Sequence, residues 1–88
     1  MNRERRKELN NAISKLNDAQ SLLEEAKEML ESCRDEENDY RENMPENMHY
    51  SEKGEHAEEV VEMLNTAIDA IDEFDITNVI SQVEEATE

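Results

Sequence analysis

"ENMPENMHYSEKGE", residues 42–55, holds the chain's only proline, its only glycine and both of its histidines. The long segments on either side contain neither Pro nor Gly. Pro45 lacks a backbone donor and pushes Met44 out of the helical region, so a helix arriving from the N-terminal side ends there. Ser51 offers a hydroxyl to the orphan N–H groups of a new first turn. Glu52 and Glu55 follow, where the helix dipole favours negative charge. Gly54 weakens that turn without forbidding it. The stretch reads as a reversal over residues 43–50, with one helical turn at Pro45–His49 and Met44 or Met48 covering the end of a core.

The two flanks have the periodicity of helices. Over residues 3–42, Leu9, Leu16, Leu23 and Leu30 form one row and Ala12, Ala19, Ala26 and Cys33 a second, an a/d seam of leucine against small residues. Over residues 51–87, Ala57, Leu64 and Ile71 form one row and Val60, Ala67 and Phe74 the other, widened by Val61 and Ile68. After Phe74 the apolar positions become Ile76, Val79, Ile80 and Val83, rotated by about a quarter-turn at 100° per residue. Continuity of the helix through this slip is the expectation; a break with Asp75 capping a short new helix is the alternative. The arms match in length. The fold class predicted is all-α: a single helical-hairpin domain over 1–88, with antiparallel helices at 3–42 and 51–87 joined by the bend at 43–50.

A chain of 88 residues buries too little to fill a large core alone, and it has more apolar material than one seam uses. Ile13, Leu22, Met29, Val61, Ile68, Ile76, Ile80 and Val83 are therefore the expected oligomer interface, two hairpins pairing into a four-helix bundle as a homodimer. In register with the alanine row, Tyr40 is expected to close the seam, and Cys33 to be a small buried filler.

The formal charge is −16. It excludes direct nucleic-acid binding, which needs Lys and Arg on phosphates, and attachment to anionic membranes; it fits a basic protein partner. Neither a signal-like run nor a membrane-length apolar stretch occurs, which predicts a cytoplasmic setting. Four of the nine basic residues, Arg3, Arg5, Arg6 and Lys7, open the chain, while acid concentrates around the bend. In a hairpin the basic opening is expected to meet Glu84, Glu85 and Glu88, offsetting the cost of cations at a helix N-terminus.

The chain resembles a group of small acidic proteins encoded by bacteriophages and prophages, mainly of Gram-positive hosts. Asn43, Met44, Pro45, Glu46, Ser51, Glu52, Gly54 and Glu55 carry the specific part; the "MNRERRKEL" opening and the "AIDAIDE" repeat extend it over nearly the whole chain. "FDITNVISQ" departs from the acidic ending of the group. The resemblance implies a mobile-element setting and no catalytic residues.

Chemical sites have little support. His49 and His56, with Glu52 or Glu55, match no strong metal spacing, and solvated turn residues are the better account. "RDEEND" and "IDAIDEFD" lack the glycine and alternating oxygens of a calcium loop, and a slim hairpin offers no pocket to tune a general acid. No enzyme activity, metal or cofactor is expected. The reading is a non-enzymatic interaction protein that presents an acidic helical surface to a host or phage protein, in its sharper form a nucleic-acid mimic blocking a basic site of a nucleic-acid-binding or defence protein. The partner-binding residues expected are Glu36, Glu37, Asp39, Glu42, Glu46, Glu52, Glu55 and Glu59. Tyr50 is either an exposed aromatic anchor for the partner or a bystander beside Met48 and His49. The alternative is a scaffolding coiled coil that self-assembles through its apolar stripe, with Ile76, Ile80 and Val83 carrying the assembly.

Overall fold

The computed structural model describes residues 2–88, all of whose regular elements are helical. Helix α1 spans Arg3–Glu42, a short 3-10 turn Glu46–Met48 follows, and helices α2 (Glu52–Glu73) and α3 (Ile76–Thr87) complete the chain. No helix among the described residues is long and apolar enough to cross a membrane. The chain packs as two compact units: residues up to Glu25 with Phe74–Glu88, and Ala26–Glu73.

Local chemistry explains the boundaries. Asn2 starts α1 by accepting the Arg5 backbone N–H on its side-chain oxygen at 2.8 Å. At the far end Pro45 takes φ −54° and ψ 143°, outside the helical region. Ser51 caps α2 as its hydroxyl suggests, accepting from Gly54 N–H at 3.3 Å while donating to Met48 O. The second arm is not continuous. At Asp75 the backbone leaves the helix (φ −88°, ψ 78°), and its carboxylate accepts the Asn78 N–H at 3.0 Å to start α3. Continuity from 51 to 87 is thus corrected at Phe74–Asp75, where the apolar stripe rotates. A new cap lets Ile76 and Ile80 turn inward, which a straight continuation would not.

In the unit formed by the start of α1 and by α3, Ile76 and Ile80 are buried, and Leu9, Ala12, Leu16, Ala19 and Leu23 on α1 are partly buried. Gln20 Nε2 donates to Thr77 Oγ1, and Asn10 and Ile13 lie beside Thr87 and Glu84. The helices run antiparallel, and α3 ends level with Leu9. Arg3, Arg5, Arg6 and Lys7 project past that end, and no ion pair among the described residues joins them to Glu84, Glu85 or Glu88. The expected pairing of the two ends is corrected for this reason: the first helix is longer than its partner.

In the unit formed by residues 26–73, α1 and α2 are also antiparallel, with Lys27 paired to Asp72, Arg34 Nη1 donating to Asn65 Oδ1 at 3.1 Å, and Arg41 to Glu58 at 3.4 Å. Gly54, Ala57 and Ile68 are buried and Val61, Leu64 and Ile71 partly so. No α1 residue is fully buried. Its inward positions are Lys27, Leu30, Arg34, Glu37 and Arg41. The cationic side chains are only 25–27 % exposed, their stems lying over α2 and their heads reaching its far edge.

This phase corrects the seam. Ala26, Cys33 and Ala67 are exposed, and so is Tyr40, which closes nothing. Rotating α2 so that Val61 and Ile68 face α1 in place of Ala67 buries larger side chains, worth about 1.5–3 kcal/mol each when fully covered. The same burial removes Ile68, Ile76 and Ile80 from the expected oligomer stripe, because they are core of their own chain. Val61, Ile13 and Val83 are half covered, whereas Leu22 and Met29 stay exposed.

Candidate interaction surface

The bend is held by its own backbone. Met48 N–H donates to Pro45 O at 2.8 Å and Ser51 N–H to Met48 O at 3.0 Å. The His49 ring reaches back so that Nε2 lies 2.9 Å from Met44 O. A carbonyl can only accept, so this nitrogen carries the proton. Arg41 Nε donates to Gly54 O at 3.2 Å, tying the end of α1 to the first turn of α2. Gly54 is enclosed here: a methyl on it would meet Met48 O at 2.7 Å and the His49 carbonyl carbon at 2.8 Å. Its φ is not positive, so close approach, not backbone conformation, selects glycine. His49 is thus committed to the bend while His56 is exposed on α2. Among the described residues no group of three or more His, Cys, Asp or Glu is placed to hold a metal ion.

The pairing of α1 with α2 sorts the surface of residues 26–73 into two sides. One residue along a helix is a 100° rotation. Because the helices run in opposite directions, the positions one after each inward-facing residue fall on the same side of the pair in both. On α1 these are Glu28, Glu31, Asp35, Asn38 and Glu42; on α2 they are Glu58, Glu62, Asn65, Asp69 and Asp72. The crevice lined by Arg34, Asp35, Asn38, Val61 and Asn65 opens on this side, where both helices contribute. Eight of the ten positions are carboxylates. Lys27, Arg34 and Arg41 run along its midline and are engaged with Asp72, Asn65 and Glu58. Arg34 also holds neighbouring Asp35. Glu28, Glu31, Glu42, Glu62 and Asp69 enter none of the ion pairs among the described residues.

The positions one before the inward residues make the other side: Ala26, Met29, Cys33, Glu36 and Tyr40 on α1, and His56, Val60, Met63, Ala67 and Ala70 on α2. Only Glu36 among these is a carboxylate. Met29 is 70 % exposed and Met63 61 %. At the bend end this side continues into a hollow lined by Tyr40, Met44, Pro45, Met48 and Lys53.

The carboxylates expected to bind a partner are not gathered. Glu42 lies on the acidic side, accepting from Asn38 at 3.3 Å. Glu36 falls on the apolar side, and Glu37 is half buried toward α2. Asp39 on α1 and Glu52, Glu55 and Glu59 on α2 take the outer edges, and Glu46 sits in the 3-10 turn. Tyr50 is 82 % exposed. The carboxylates of the acidic side that the sequence reading did not single out are Glu28, Glu31, Asp35, Glu58, Glu62, Asp69 and Asp72. Their signal is a heptad of acid one place after the seam on each arm, legible only once the seam is phased on Lys27, Arg34 and Arg41. No protein-family model, curated protein or solved structure matches the chain, so any functional reading rests on the geometry itself.

Proposed function

We propose that this chain is a non-enzymatic, cytoplasmic protein-binding module that docks a basic protein surface on the acidic side of α1 and α2. The observation that carries the reading is the gathering of eight carboxylates on one side of two antiparallel helices. Residues 26–73 contain sixteen of the chain's 25 acidic residues and four of its nine basic ones, and three of those four are turned to the midline. Each helix presents four charges over 14 residues, one about every 7 Å at 1.5 Å rise, in two rows about 8–10 Å apart. A duplex strand carries a phosphate every 3.4 Å, so the rows imitate a nucleic acid's charge at lower density. The partner class that fits is a protein whose own ligand is nucleic acid.

Affinity capture from a nuclease-treated bacterial lysate tests it, comparing the chain with a Glu28→Lys, Glu31→Lys, Glu62→Lys, Asp69→Lys variant at low and high salt. Basic nucleic-acid-binding proteins should be retained at low salt, released at high salt and absent from the variant. An unchanged set of captured proteins on the variant would refute the acidic-side reading. The scaffolding alternative is favoured by a separate observation, the apolar side opposite.

A further inference from the structure

We infer that the apolar side of residues 26–73 is the contact surface for a second copy of this chain. The inference is independent of the acidic-side reading. Three considerations select this occupant.

The first is area. Met29, Tyr40 and Met63 are 70 %, 50 % and 61 % exposed, with exposed Cys33, Ala67 and Ala70 on the same rows, a set of apolar side chains of the kind that marks an interaction site. Covering these large side chains on both copies approaches the roughly 1,000 Å² at the lower limit for a specific interface.

The second is charge. A chain of −16 repels its own copies wherever acid meets acid. Here most carboxylates of residues 26–73 lie on the opposite side and the edges; Glu36 is on the apolar side, and Glu59 and Glu62 border Met63 at its rim. Face-to-face pairing turns both acidic sides outward, separated by two helix layers, about 20 Å. That exceeds the roughly 8 Å screening length at physiological ionic strength. A basic partner finds little counter-charge on this side, whereas a second face of equally low charge does not need one.

The third is fit. The pairs Lys27–Asp72 and Arg34–Asn65 set Met29 level with Ala70 and Cys33 level with Ala67 within one chain. A two-fold axis parallel to the helices preserves these levels and lays α1 of one copy over α2 of the other, antiparallel. Met29 then meets Ala70 of the second copy and Cys33 meets Ala67, large against small. Glu36 comes level with Met63, which its methylenes cover while the carboxylate reaches the edge. The product is a four-helix bundle with every neighbour antiparallel. Its core is not the isoleucine stripe the sequence suggests, and it would carry an acidic side on each outer surface.

Sedimentation equilibrium on the full chain tests this, with helical circular dichroism as the check on folding. The chain should weigh about twice its 10.3 kDa at tens of micromolar, and the dimer should persist at high salt, where screening relieves the residual repulsion. A Met29→Lys, Met63→Lys variant should fall to monomer mass with its helicity unchanged, and Asp69→Lys on the acidic side should remain dimeric. If the double variant loses helix, Ala67→Lys, one exposed change at the centre of the face, is read the same way. Monomer mass for the unmodified chain throughout would overturn the inference and leave the face to a helix of another protein. A dimer that survives the substitutions would overturn it too, by placing the contact elsewhere. Failure of the acidic-side reading would change salt-dependent capture and leave the mass as it is.

Discussion

Gly54→Ala separates what sequence propensity expects from what the fold requires. Gly54 lies in the first turn of α2, where replacing glycine by alanine ordinarily favours the helix by up to about 1 kcal/mol. In the folded chain the added methyl would stand 2.7 Å from Met48 O and 2.8 Å from the His49 carbonyl carbon, and closer still to His49 O. These are backbone atoms, and they cannot swing aside as a side chain would. Met48 O accepts from Ser51 N–H and from the Ser51 hydroxyl. His49 is fixed through its own N–H to Glu46 O and its ring to Met44 O. Relieving the clash means overpacking strain of about 1–3 kcal/mol and loosening one or two hydrogen bonds worth about 0.5–1.5 kcal/mol each. After subtracting the propensity gain, the net loss is about 0.5–5 kcal/mol, centred near 2–3 kcal/mol. For a domain of this size each kcal/mol moves Tm by about 4–8 °C. Thermal unfolding followed by circular dichroism should show a fall of roughly 8–24 °C, while Ser32→Ala, exposed in mid-α1, should be neutral or slightly stabilising. A Gly54→Ala chain that melts at the same temperature or higher would refute the close approach of the bend to α2.

Four further outcomes follow from the same contacts. Asp75→Ala removes the cap of α3 and should cost about 1 kcal/mol, seen as a lower urea midpoint with an unchanged slope. Arg41→Met keeps the buried stem but loses the donors to Gly54 O and Glu58; denaturant unfolding should register a loss of about 1 kcal/mol, whereas Arg41→Ala should cost more by also uncovering α2. Ile68→Ala empties one of the few buried positions and should destabilise by about 2–5 kcal/mol, enough in so small a core to show a partly unfolded baseline by circular dichroism at room temperature. Ile80→Glu should abolish the helical signal of the chain itself, because Ile80 is buried in its own unit; a helical monomer would mean that Ile80 serves assembly instead.

Much of the architecture is local, and local chemistry is written in the sequence. The reversal at Pro45, the Ser51 cap and the helical character of both arms follow from residue types whose preferences act within one or two turns. The slip after Phe74 was equally visible, but two conformations fit it. Choosing between them depended on whether Ile76 and Ile80 find a partner, which is a contact at long sequence separation.

The candidate surface was less legible, for a definite reason. A heptad of leucines and alanines gives a seam, yet it leaves the phase open by one position when the facing helix carries a stripe wider than two rows. Val61 and Ile68 shifted the phase on α2. Lys27, Arg34 and Arg41 could follow on α1 because their long stems are apolar enough to lie inside while their charges reach Asp72, Asn65 and Glu58. A rotation of that size moves each flanking residue a quarter-turn. It sends Cys33, Ala67 and Met29 to one side and collects Glu28, Glu31, Asp69 and Asp72 on the other. The sequence by itself determined an acidic, all-helical chain that reverses at Pro45, because those properties are sums over residues or rules within a turn. Only the tertiary structure decided which side is acidic and which apolar, because that depends on how two helices divide a shared core, and burial of α2's larger side chains outweighed the regularity of α1's alanine row.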